Sequence, residues 1–487
     1  MKIEIKSQDR VKNFGEVFTS LKDINSMLDL IPEFYKIDNS ILEPTCGNGN
    51  FIEEILIQKL NRGVLPQLNN KNYFNLIQEM LNNIFGMDIQ EDNVKETQER
   101  IIKNLTIFYI DNEIIYNENE FNSYKKIINN NIIVGNFLEN YKKYNSLYAI
   151  IGNPPYQKDD NGFGASASPL YNIFMEVIIN EIQPKYFSFI IPSRWLTGGK
   201  GLATFRKNML KDTRFKELYD FKNSKDCFKN VEIEGGICYF LWDKNYNGSL
   251  KYTILKNDKI INSKERRFNE FDIFIRDNIG IEILHKVNMK KLKTIEKEIK
   301  RPLFGFNTNH KKFVYKKDNI NDVKFYCNKQ VIAENETLKC NGIGYVDLTQ
   351  IKNKQDIIED YKILIPKARG GIATDKKIVS EPILTDANSV CSQTYVIIKT
   401  SKDKIILDNF IKYIKTKLFR FLVSLRKQTQ DVGISTYSFV PDVFVNPELS
   451  NFISKTNDIK EIDEKLYLYF SLSKDEIKYI EEKINYY

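Results

Sequence analysis

The chain has 487 residues, 42% hydrophobic and 28% charged, with a formal net charge of +8. That balance belongs to a globular protein long enough for about two to four domains with real cores. No run of about 18 apolar residues occurs, and Met1-Lys2-Ile3-Glu4-Ile5-Lys6 alternates without a signal-peptide core, so no membrane span is expected and a cytoplasmic location is the default.

The basic excess permits a polyanion partner without demanding one, and part of it goes with the Asn-, Lys- and Ile-rich composition of AT-rich coding. None of the six cysteines lies in a Cys-x-x-Cys pair, and the histidines are His285 and His310 alone. A structural metal site, a disulfide framework and histidine-based catalysis are therefore not expected.

In chain order, Gly15-Glu16-Val17-Phe18-Thr19-Ser20 precedes an amphipathic run with Ile24, Met27, Leu28 and Ile31, a helix that Thr19 or Ser20 can cap. Ile41-Leu42-Glu43-Pro44-Thr45-Cys46-Gly47-Asn48-Gly49-Asn50-Phe51 reads as strand, glycine turn and helix. Its glycines let backbone approach a ligand, and without Gly-Lys-Ser/Thr it is not a nucleotide P-loop. A helix is expected over 73–81. Ile84-Phe85-Gly86-Met87-Asp88-Ile89 is a second strand ending in an acid, placed to hold ribose hydroxyls or to cap a helix over 91–102. Ile132-Ile133-Val134-Gly135-Asn136-Phe137-Leu138 is a third strand.

The fourth strand, 147–151, breaks at Gly152-Asn153-Pro154-Pro155-Tyr156, where two prolines remove backbone donors and forbid a helix. An amide and an aromatic ring thus sit on a rigid turn, beside carbonyls that no following N–H easily claims. A small-residue loop spans 157–169, a helix 170–182, a fifth strand 186–192 and a helix 203–210. Late strands cover 218–221 and 237–242, with Phe228 ahead of the last. Four early strands separated by helical segments imply a doubly wound, mostly parallel α/β sheet. Ligands bind beyond the carboxyl ends of such strands, where Gly47–Gly49, Asp88, Asn136–Phe137 and Asn153–Tyr156 all fall.

A turn at Asn245-Tyr246-Asn247-Gly248 marks a domain boundary, dividing 1–247 from 248–487. The second part is expected to be α+β, with a charged helix over 279–300, a strand-like Lys362-Ile363-Leu364-Ile365-Pro366, one amphipathic helix over 410–426 and two short helices over 462–484.

The order Gly15-Glu16-Val17-Phe18-Thr19, Glu43-Pro44-x-x-Gly47-x-Gly49-x-Phe51, Asp88, Asn136-Phe137 and Asn153-Pro154-Pro155-Tyr156 resembles the gamma class of DNA adenine-N6 methyltransferases of restriction–modification systems. The specific motifs cover about the first half of the chain. In the second half, Ile365-Pro366-Lys367-Ala368-Arg369-Gly370 and Leu422-Val423-Ser424-Leu425-Arg426-Lys427-Gln428-Thr429-Gln430 look similar to segments of their target-recognition domains. The resemblance implies a Rossmann-like catalytic domain, S-adenosylmethionine as cofactor, double-stranded DNA as partner and a separately encoded endonuclease as a further one. It places Thr19, Glu43, Cys46, Gly47 and Gly49 around the methionine part, Asp88 on the ribose, and Ile89, Asn136 and Phe137 at the cofactor's adenine. Many relatives carry Asp at the Asn136 position. Asn153, Pro154, Pro155, Tyr156 and Phe228 would hold the flipped target base, with Asn153, Pro154 and Tyr156 catalytic.

The chemistry stands beside the resemblance. An exocyclic amine conjugated with its ring is a poor nucleophile. Accepting its hydrogens at the Asn153 side-chain oxygen and the Pro154 carbonyl turns its lone pair toward a methyl donor. A base inside a duplex must be flipped out first. No Pro-Cys dipeptide occurs, so a cytosine-C5 mechanism is not expected. Protein glutamine, an RNA base or cytosine-N4 are alternative amines, and a non-catalytic DNA-specificity subunit is the alternative of another class. No Asp…Glu-x-Lys cluster accompanies the motifs, so cleavage by this chain is not expected.

Overall fold

In a computed structural model the described residues are 19–67, 72–157, 168–199, 201–228, 231–301, 304–353, 356–368, 376–427 and 432–487. The N-terminal residues 1–18, the small-residue loop over 158–167, and the stretches 369–371 and 428–430 lie outside them. The chain divides into two compact units, 1–274 and 275–487.

The first unit is organised by a nine-stranded sheet: β1 (Ile41–Glu43), β2 (Ile84–Asp88), β3 (Ile132–Val134), β4 (Ala149–Gly152), β5 (Tyr186–Pro192), β6 (Phe215–Phe221), β7 (Ile237–Asp243), β8 (Leu250–Lys256) and β9 (Lys259–Arg266). Their order is β3-β2-β1-β4-β5-β7-β6-β8-β9. β1 to β5 are mutually parallel, and β7 inserts antiparallel between β5 and β6. Short parallel strands buried on both faces read as continuous apolar runs, and β4 and β5 are buried at every position.

Alternate side chains feed two separate cores, as the period of two requires. Ile41, Ile151 and Ile190 go to one face, and Leu42, Ile150, Phe189 and Ile191 to the other. β2 and β3 lie on one side of β1 and β4 and β5 on the other, so the switch in strand order falls between β1 and β4. There Leu42 pairs with Ile150. That crevice is where a ligand meets an open α/β sheet.

The sheet does not stop near residue 247. β8 pairs parallel with β6, and Leu250 and Tyr252 are buried in the same core as Trp242. The tight turn from β8 to β9 has Asn257 and Asp258 both at positive φ, the two-residue geometry that suits a twisted hairpin. The segment after β9 returns to the sheet, where Phe274 N donates to Leu196 O at 2.8 Å. The turn at 245–248 is thus a connection inside the first unit, and the boundary moves to 274.

The second unit is α+β, with two three-stranded sheets and a helical C-terminal part. Its first helix, Asn278–Met289, ends before Lys291, which stands at positive φ, so it is shorter than the 279–300 expected from its apolar spacing. The expected helix over 410–426 is two, Lys404–Lys415 and Lys417–Ser424. Thr416 takes an extended conformation and caps the second, while the Asp463 carboxylate accepts from Lys417 N at 2.8 Å and Leu418 N at 3.0 Å. A partner distant in sequence supplies acceptors for a new helix start, so the apolar stripe runs through the break. Three helices follow, Pro447–Lys455, Ile459–Tyr469 and Lys474–Lys483. Among the described residues no helix is long and apolar enough to cross a membrane.

Candidate active site

Two turns meet at the crevice between β1 and β4. The first leaves β1 at Glu43 and enters the helix Asn50–Lys59. Gly47 and Gly49 have φ of 50° and 85°, left-handed values open to glycine. Cys46 N donates to Met87 O and Gly47 N to Asp88 Oδ2, so the end of β2 anchors this turn. The second turn leaves β4 at Gly152 and runs through Asn153, Pro154 and Pro155 to Tyr156. Thr45 Oγ1 donates to Asn153 O at 3.2 Å and joins the two.

Four polar features, three on these turns and one at Thr19, have no partner among the described residues. Glu43 is 2% exposed, and its Oε2 meets no donor. Burial and the nearby Asp88 push its carboxyl well above the ordinary glutamate range, against the pull of Arg100. The Asn48 Oδ1 and Thr19 Oγ1 atoms are likewise shielded and unpartnered. The Pro154 carbonyl accepts no hydrogen bond from the described residues, and the residue after it has no N–H to offer. Buried polar atoms are ordinarily satisfied, so such a group asks what would satisfy it. Glu43 and Asn48 present acceptors, and Thr19 a hydroxyl, which suits a polar, partly cationic ligand such as an amino acid.

Asp88 is largely occupied. Its carboxylate accepts from Gly47 N at 2.9 Å, Gln90 N at 2.8 Å and Asn93 Nδ2 at 3.3 Å, leaving about one of four acceptor directions. It therefore both fastens the turn and begins the helix Glu91–Asp111, while burial raises its pKa. Next to it Ile89 is 55% exposed, an apolar surface left at the strand end.

Asn136 caps the short helix Phe137–Asn140. Its Oδ1 accepts from Leu138 N at 3.1 Å and its Nδ2 donates to Glu139 Oε1 at 2.7 Å. Phe137 is 1% exposed and stacks on Phe174 with centroids 5.5 Å apart, so it belongs to the core beneath the rim and not to its open edge. Cys46 is also buried under its turn, and burial lifts its thiol far above the usual range, which keeps it protonated and unreactive.

The Asn153 amide lies beside the Tyr156 hydroxyl, whose burial holds it protonated. The Tyr156 ring is half-buried, edge-on to Tyr171 at 6.5 Å. Tyr156 O accepts from Leu170 N at 3.1 Å, and Gln157 bridges Pro169. Phe228 is 1% exposed, packed in the core that Tyr156 also touches. Pro155 is half-buried on the turn. The rim thus brings together Thr45, Glu43, Asn48, Asp88, Asn153 and Tyr156. Thr45 and Asn48 escape sequence reasoning, since neither type announces a role. Asn48 is marked only by its place between two glycines.

Residues 82–228 match the family described as Eco57I restriction-modification methylase. That stretch contains Asp88, Asn136, Asn153, Tyr156 and Phe228, and the turn after β1 precedes it. Over 154 residues the chain is 37% identical to a Mycoplasma pneumoniae protein described as an uncharacterized adenine-specific methylase. The match takes in 30% of this chain and 35% of that protein, about a third of the relative's length. Among solved structures, the type IIL restriction-modification enzyme MmeI, in complex with DNA, aligns over 98% of this chain and 76% of its own, at 11% identity and a TM-score of 0.50. The sheet is therefore a Rossmann-like methyltransferase fold.

Proposed function

We propose that this chain is a DNA methyltransferase that moves a methyl group from S-adenosylmethionine to the N6 amine of an adenine flipped out of double-stranded DNA. It serves as the modification component of a restriction–modification system or as a solitary methylase. An endonuclease encoded separately is its partner in the first case, and the unit 275–487 carries target recognition. The partial family match and the adenine-specific relative support this reading.

The observation that carries it is the turn after β4. Asn153 carries an amide at the carboxyl end of a central strand, and the adjoining Pro154 carbonyl has no partner among the described residues. Two such acceptors draw both hydrogens of a planar amine, so the nitrogen lone pair leaves conjugation and faces the crevice. Tyr156 holds the base plane. No residue of the turn needs to form a covalent bond or to change charge, so positioning and electrostatics supply the rate.

The cofactor fits the residues on the β1 side. Glu43, Asn48 and Thr19 offer unpartnered polar atoms to an amino-acid end, Asp88 keeps one acceptor direction for a ribose hydroxyl, and exposed Ile89 offers an apolar face to an adenine. Bound there, S-adenosylmethionine supplies an electrophilic methyl on a sulfonium.

Expression in a host free of DNA methylation, followed by single-molecule sequencing, tests the proposal. Modified adenine within one short recognition motif is the expected result. Unmodified host DNA from cells containing folded, cofactor-binding protein would refute it.

A further inference from the structure

The helix Glu91–Asp111 carries a polar stripe at Asn93, Thr97, Arg100 and Asn104, spaced so that all four share one face. A solvated face is the usual meaning of such a stripe, but here Asn93 and Thr97 are buried, and all four side chains bond to the β1 turn, the helix after it or the end of β2. Asn93 holds Asp88. The Thr97 hydroxyl is shared between Gly47 O, at 3.2 Å, and its own helix at Asn93 O. Arg100 donates to Asn48 O at 2.5 Å and Asn50 Oδ1 at 3.0 Å, and pairs with Glu53, whose other oxygen accepts from Asn104.

The contacts on the two carbonyls have a geometric consequence. A trans peptide points its C=O and N–H in opposite directions. With Gly47 O drawn to Thr97, the N–H of Asn48 faces away from the helix. It has no acceptor among the described residues, and Asn48 Oδ1 is shielded and unpartnered. One residue therefore presents a donor and an acceptor on the turn that Glu43 begins, a set complementary to the carboxylate and ammonium of an α-amino acid.

We propose that Thr97 and Arg100 are positioning residues for cofactor binding: by fixing the Gly47 and Asn48 carbonyls they turn Asn48 toward the amino-acid end of S-adenosylmethionine. This rests on the methyltransferase reading and adds two residues that touch neither cofactor nor base. They govern cofactor affinity and not the chemical step.

The test uses the full chain and S-adenosylhomocysteine as calorimetric probe, with steady-state kinetics and thermal melting alongside. Thr97→Val keeps the shape and removes the hydroxyl. Arg100→Met removes the guanidinium, and Arg100→Lys retains a cation with less reach. Thr97→Val and Arg100→Met should each weaken binding about tenfold and raise KM for S-adenosylmethionine in proportion, with kcat at saturation kept within about twofold. Arg100→Lys should recover part of the loss. Should Thr97→Val not fold, Arg100→Lys against wild type still reads the carbonyl contact. Unchanged binding in folded variants with wild type binding normally, or a fall in kcat at unchanged KM, overturns the proposal. Wild-type protein that binds no S-adenosylhomocysteine removes the functional reading beneath it.

Discussion

The turn after β1 and the turn after β4 lie side by side, joined by Thr45 on the Asn153 carbonyl, yet their shapes have different origins. The glycine turn is held from outside. Asp88 fastens Gly47 N, Thr97 holds Gly47 O and Arg100 holds Asn48 O, all from residues about 40 to 50 positions downstream. The proline turn is held from within, because two pyrrolidine rings fix φ and remove donors. The difference teaches that a site can combine one turn whose shape travels with its own sequence and one whose shape exists only in the folded sheet.

The largest expected effect is on the chemistry of the proline turn. Asn153→Ala removes an amine acceptor and should lower kcat about 10²- to 10³-fold, the loss seen when one preorganised electrostatic partner is deleted. Binding of S-adenosylhomocysteine, measured calorimetrically, should stay near wild type, since none of the residues assigned to the cofactor belongs to the proline turn. A variant with normal turnover would end the assignment of Asn153.

Folding should show the reverse ranking. An Ala at Gly49 must adopt a left-handed φ of 85°, and its Cβ would stand 2.7 Å from Thr97 Oγ1. Strain of this kind costs about 1–3 kcal/mol, so Gly49→Ala should lower the denaturation midpoint and weaken cofactor binding together. Pro154→Ala keeps an accessible backbone and gives up only unfolded-state restriction, about 0.4–1 kcal/mol. Equal destabilisation by the two substitutions in urea titrations would erase the distinction between the turns.

What was legible in the sequence follows the same division. The Asn-Pro-Pro-Tyr turn, the strand ends and the doubly wound order could be read because local chemistry and apolar period decide them. The continuation of the sheet through Leu250 to Arg266 could not, because the Asn-Gly turn at 247–248 looks the same inside a domain as between two. The break at Thr416 was hidden because its cause, Asp463, lies far along the chain. The resemblance puts Phe137 at the cofactor's adenine and Phe228 at the target base, and in this structure both are buried in hydrophobic cores. The clamp from Thr97 and Arg100 was invisible, since polar residues at helical spacing usually face water.

Glu43 gives the subtlest comparison, because its contribution changes with pH. Its unfolded carboxyl titrates near 4.5, and its folded one well above, through burial first and Asp88 second. Below about 4.5 both states are protonated and the residue contributes nothing. Between the two values the folded protein holds a proton that the unfolded chain has released, so stability falls as pH rises. Above the folded value the full cost of a buried charge is present. Glu43→Gln never carries that charge. It should melt with wild type at low pH and above it at pH 8, by roughly 2–4 °C for each kcal/mol relieved. The same variant should bind S-adenosylhomocysteine less tightly, because the carboxylate that destabilises the empty fold is the one that meets the ligand's ammonium. A melting difference independent of pH would show that Glu43 titrates alike in the folded and unfolded chain, and a stabilised variant with unchanged affinity would remove Glu43 from the cofactor site and leave the glycine turn as scaffold alone.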